Sequence, residues 1–90
     1  MGTQQQVIIF LKFINPSSKP TDRVKELASS WISARDPIEI TSAYFVLCEE
    51  FDTMLIVKGD LKNIYEAVKR LESIENAKCL VEVIFPIHLN

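Results

Sequence analysis

The sequence predicts a single α+β domain with the element order β-α-β-β-α-β. Three observations carry this. Four short runs are rich in β-branched and aromatic residues, and two stretches place apolar residues at helical spacing. Proline, glycine and acidic clusters stand between them as breakers. With 90 residues the chain is one domain by length. A domain of this size buries only somewhat more than ~60% of its unfolded surface, so self-association is a common added source of stability.

Residues 1–6 are polar and are expected to form a flexible N-terminal extension, with one domain over residues 7–90. Residues 7–14, Val-Ile-Ile-Phe-Leu-Lys-Phe-Ile, have the composition of a strand buried on both faces. Asn15-Pro16-Ser17-Ser18 marks a loop. Pro20 suits the first position of a helix and Asp22 complements its dipole. Val24, Leu27, Ala28, Trp31 and Ile32 then form one apolar stripe, with Trp31 read as core, and Asp36-Pro37 stops the helix. Residues 38–50 read as a second strand, Tyr44, Val46 and Cys48 on one face and Ala43, Phe45 and Leu47 on the other. The acidic segment Glu49-Glu50-Phe51-Asp52 connects it to a third strand from Thr53 to Lys58, closed by Gly59. Asp60 is a good N-cap for a second helix, striped by Leu61, Ile64, Tyr65, Val68 and Leu71. Residues 79–85 form the last strand, and Pro86 ends its regular pairing.

Two split βαβ units sharing one sheet give a ferredoxin-like fold. Its four strands are antiparallel and its two helices lie on one face. A wet second face would show alternation of apolar and polar residues. Here Ile8, Phe10, Tyr44, Val46, Met54 and Ile56 make the other face apolar as well. A sheet this apolar marks an interface. The expectation is therefore a homodimer of the dimeric α/β-barrel type, sheet against sheet, or a larger even-numbered assembly.

Composition narrows the function. The formal net charge is −2, and Lys and Arg are interspersed with acids rather than gathered in a basic stripe. That argues against direct nucleic-acid binding. An RNA-reading sheet would also need basic residues beside its aromatics, and the first and third strands carry only Lys12 and Lys58. Cys48 and Cys79 form no C-x-x-C and, with the single His88, supply no zinc set, so no metal or cofactor is expected. Both thiols are expected reduced and mostly buried. No secretion signal and no membrane-length apolar run is visible, which points to a cytoplasmic protein without membrane contact.

Catalytic signatures are absent: there is no glycine-rich phosphate loop, no G-x-S-x-G and no H-E-x-x-H. The expectation is a protein that is not an enzyme. An alternative is a small dimeric-barrel enzyme using Tyr44, Cys48 and His88. Glu49, Glu50 and Asp52 are read either as a solvated acidic hairpin or as a cation or acid–base set.

The stretch 38–85 resembles a known family. Cys48-Glu49-Glu50-Phe51-Asp52, followed by Thr53 to Val57, stands where members carry T-G-x-x-D or G-E-Y-D before an apolar strand. Leu71-Glu72-Ser73-Ile74-Glu75-Asn76-Ala77 stands where they carry L-x-S-I-P-G-V. This is similar to the ligand-binding and oligomerisation domain (the regulation-of-amino-acid-metabolism, or RAM, domain) of the leucine-responsive/AsnC transcription regulators. The first half of the chain matches in element order only. The resemblance implies a stand-alone domain for transcription regulation, without its own helix-turn-helix. It implies dimers by sheet packing, larger rings, and an amino-acid effector bound near Cys48, Glu49, Phe51 and Asp52. Asp52 and Phe51 match the family's turn aspartate and aromatic. Glu49 stands in place of the family glycine, whose bareness lets a ligand approach the backbone; a Glu adds bulk and repels a carboxylate. A partner regulator of the same family carrying the helix-turn-helix is also implied, as is the alternative of a structural partner domain without ligand.

Overall fold

The computed structural model describes residues 4–14, 19–35, 37–85 and 87–89. The loop expected at residues 15–18, the stops expected at Asp36 and Pro86, and the first half of the expected N-terminal extension lie outside the described residues. The elements are β1 (Gln4–Phe13), α1 (Pro20–Ile32), β2 (Glu39–Phe45), β3 (Thr53–Asp60), α2 (Leu61–Ile74) and β4 (Ala77–Ile84). The strands form one antiparallel sheet in the order β2-β3-β1-β4, the ferredoxin-like arrangement.

β1 starts earlier than its apolar run suggests. Gln4, Gln5 and Gln6 lie opposite Asp60, Gly59 and Lys58, so the backbone ladder carries three polar residues along with it. β2 is shorter than expected and ends at Phe45. β4 begins two residues early, at Ala77.

Register decides the two faces. Val7, Ile9, Leu11 and Phe13 of β1 point to the same side as Leu55 and Val57 of β3. All six are buried, and they share one core with Trp31, Ile38, Ile64, Ala67, Val68, Leu71 and Ala77. Both helices therefore cover one side of the sheet. α2 packs on β3 and β4, and α1 on β2. The helical stripes are narrower than expected: Ile32 and Tyr65 are exposed, and Ala67 takes a core place beside Ile64 and Val68. A helix lying on a sheet buries little more than a third of its surface, so residues at the stripe's margin face water.

The helix ends are set locally. Asp60 Oδ1 accepts from the backbone N–H of Lys62 at 3.0 Å and caps α2. α1 has no side-chain cap at Lys19 but starts with Pro20. After α1 the chain reverses, and the Ile38 N–H donates to the Trp31 carbonyl at 3.1 Å. After α2, Asn76 adopts φ 52°, a left-handed conformation that asparagine tolerates better than most residues. Arg23 ties the start of α1 to the end of α2 through a 2.8 Å ion pair with Glu75, and it stacks 5.3 Å from the Phe13 ring centre.

No described helix is long and apolar enough to cross a membrane. Both cysteines are free. Cys79 is half-buried, but Cys48 is exposed, contrary to the expectation of buried thiols, because β2 has ended before it and the chain has turned into solvent.

Candidate functional site

The side of the sheet without helices is the first candidate. Ile8 and Phe10 of β1 lie beside Ile56 and Met54 of β3, their direct cross-strand partners. On the flanks stand Tyr44, opposite Met54, and Leu80, opposite Phe10. Ile8, Phe10, Met54 and Ile56 are half-buried, while Tyr44 and Leu80 are exposed. Val46 continues beyond β2, where its N–H donates to the Asp52 carbonyl at 3.0 Å. Of the expected interface set, Ile8, Phe10, Tyr44, Met54 and Ile56 thus share the open face, together with Ser42 opposite Ile56, while Val46 lies beyond the paired part of β2. Sequence reading missed Glu82, which sits opposite Ile8 on the same face, because β4 alternates while β1 and β3 do not.

A bulge keeps β2 in step. Ile40 pairs with Val57 and Ser42 with Ile56, so Thr41 is the extra residue. Its hydroxyl donates to the Ile56 carbonyl at 3.0 Å. Tyr44 reaches the open face only because of this insertion; without it the alternation would place Ala43 and Phe45 there.

The β2–β3 turn holds the second candidate set, Cys48, Glu49, Phe51 and Asp52. At this end of the sheet Lys12 and Lys78 are direct cross-strand neighbours, an unfavourable like-charge pair. The turn answers both. Lys12 Nζ donates to the Glu49 carbonyl at 3.0 Å, and Lys78 lies 3.7 Å from a Glu50 carboxylate oxygen. The Phe51 ring packs on Phe10 at 5.7 Å between centres, with Lys78 Nζ 5.4 Å from its own centre. Asp52 donates its N–H to the Leu11 carbonyl at 2.9 Å and accepts from the Thr53 hydroxyl at 2.9 Å.

The turn is therefore a clamp folded over the end of the open face. Phe51 is buried by it, Asp52 is held by its neighbours, and Cys48 and Glu49 face solvent. Among the described residues, none of the four lines the clefts beside the helices. The sequence signal for the clamp was Lys12, the one charged residue in the otherwise apolar run 7–14.

Tyr44, Cys48 and His88 are each exposed, on β2, in the turn and beyond β4 respectively, and among the described residues no hydrogen bond joins them. Burial, with Glu72 nearby, pushes the Cys79 thiol up to about 12. No group of three or more metal-ligating side chains occurs among the described residues.

The protein is thus of the ferredoxin-like α+β class, with a helix-free apolar sheet face and a clamped acidic turn. Comparison with protein-family models, curated proteins and solved structures finds no match.

Proposed function

We propose that this chain is a non-catalytic self-association domain that pairs with a second copy through the open sheet face. The observation that carries this reading is the run of Ile8, Phe10, Met54 and Ile56, flanked by Tyr44 and Leu80, on the side the helices leave bare. Apolar burial is worth roughly 25 cal/mol per Å², so covering such a face with its own copy is favourable. The pairing is isologous, sheet on sheet, as in dimeric α/β barrels.

The likeness of 48–52 and 71–77 to the leucine-responsive/AsnC regulators extends the reading. In it the assembled domain responds to a small effector of amino-acid type and serves cytoplasmic transcription regulation, the DNA being read by a partner's helix-turn-helix. Glu49, exposed on the turn where that family has glycine, argues for an effector site elsewhere on this chain.

Solution mass by light scattering tests the central claim. The wild-type protein is expected as a dimer or larger even-numbered assembly. Ile56→Glu, which puts a charge at the centre of the face, is expected to give a monomer with an unchanged circular dichroism spectrum. A wild-type monomer at all concentrations would sink the proposal.

A further inference from the structure

The charges on the open sheet face are matched within the copy, with one exception. Lys58 and Glu39 stand directly opposite one another across β3 and β2. Lys12 donates to the Glu49 carbonyl, and Lys78 lies beside the Glu50 carboxylate. Asp60 is engaged as the cap of α2. Glu82 is left over. It stands opposite Ile8, with Leu80 and Ile84 before and after it on the same side of β4, and among the described residues no ion pair reaches it.

Its place puts it inside the contact. β4 is an edge strand, but the sheet has only four strands, so at ~4.8 Å per strand β4 lies ~7 Å from the midline. Along the strand, Ile8 falls midway in the paired stretch of β1, Gln4–Phe13. A second sheet of equal width covers that position. By two-fold symmetry the contact then holds a Glu82 side chain from each copy. The groups facing Glu82 from β1 are Ile8 and, diagonally, Gln6 and Phe10. None of them titrates, and no strand lies on its other side. On its own side of the chain, Lys78 is held by Glu50, and His88 lies past the strand's end. Ser42, at the far end of the same row, offers a hydroxyl but no counter-charge. An apolar surface closing over an unpaired carboxylate costs free energy that the neutral acid does not.

We propose that Glu82 makes pairing through the open face dependent on pH: the pair forms with the Glu82 carboxyl groups protonated and loosens as they ionise. The proposal deepens the self-association reading by giving its contact a control, and it rests on that reading. Proton uptake accompanies association, so the pair gains strength as pH falls and loses it as pH rises. Two carboxyls per pair set a ceiling of about a hundredfold per pH unit.

The pair's dissociation constant is measured by light scattering over a dilution series at pH 5 and pH 8, with circular dichroism on the same samples. The wild type is expected to pair at least about tenfold more tightly at pH 5. Glu82→Gln, uncharged and of nearly the same shape, is expected to pair at pH 8 as tightly as the wild type does at pH 5, with the dependence lost. Glu66→Gln, which removes an exposed carboxylate from α2, is expected to keep the wild-type dependence. Equal constants at both pH values, tighter pairing at pH 8 (the sign a cation of the second copy against Glu82 would give), or a dependence that survives Glu82→Gln overturns the proposal. Each of these leaves pairing itself, and its loss in Ile56→Glu, intact. A wild type that is monomeric at every concentration and both pH values overturns the self-association reading and this proposal together.

Discussion

Cys48 and Cys79 show how position, not residue type, sets behaviour. Cys79 lies on the helix side of β4 opposite Leu11, and its thiol is pushed up by burial and by Glu72. Cys48 stands in the exposed turn. At pH 8 one thiol should react quickly with a soluble disulfide reagent and the second only as the fold opens. Peptide mapping should place the fast label on Cys48. The folded thiolate of Cys79 is disfavoured relative to the unfolded one. Its contribution is thus fully present below the ordinary thiol pKa and is lost as pH rises from about 9 towards about 12. Denaturation midpoints measured over that range should fall less steeply in Cys79→Val than in the wild type.

Among the elements, α2 is the better built of the two helices. It has a side-chain cap and buries Ile64, Ala67, Val68 and Leu71, whereas α1 has no such cap and fully buries only Trp31. Asp60→Ala should cost about 1 kcal/mol in urea unfolding, with the slope unchanged; Asp60→Asn should cost little. The order of these elements was legible because period and punctuation agree: Asp60 before an apolar stripe of period 3.6 reads as a cap without tertiary information. The turn was legible only as an acidic connection. Its role depends on Lys12 and Lys78 meeting across β1 and β4, far apart in sequence, and no local pattern reports which strands will be neighbours.

For the whole molecule, pairing through the open face would couple assembly to stability. A domain of this size is held by roughly 0.05–0.15 kcal/mol per residue, so a buried interface is a large addition. The melting temperature of the wild type should rise with protein concentration across a roughly hundredfold range. That of Ile56→Glu should stay flat. A flat wild-type curve would count against an assembly that stabilises the fold.

The extra residue at Thr41 reaches beyond β2 itself. β2 is an edge strand, and a straight edge is a template on which further chains add without limit. The insertion bends that edge and disturbs its run of donors and acceptors, while exposed Lys78 and Glu82 mark the opposite edge, β4. Growth by strand addition is discouraged at both margins, and the face is the contact left open. Association through a face is used up once two copies have met, so the irregularity in β2 favours a finite particle over a fibre.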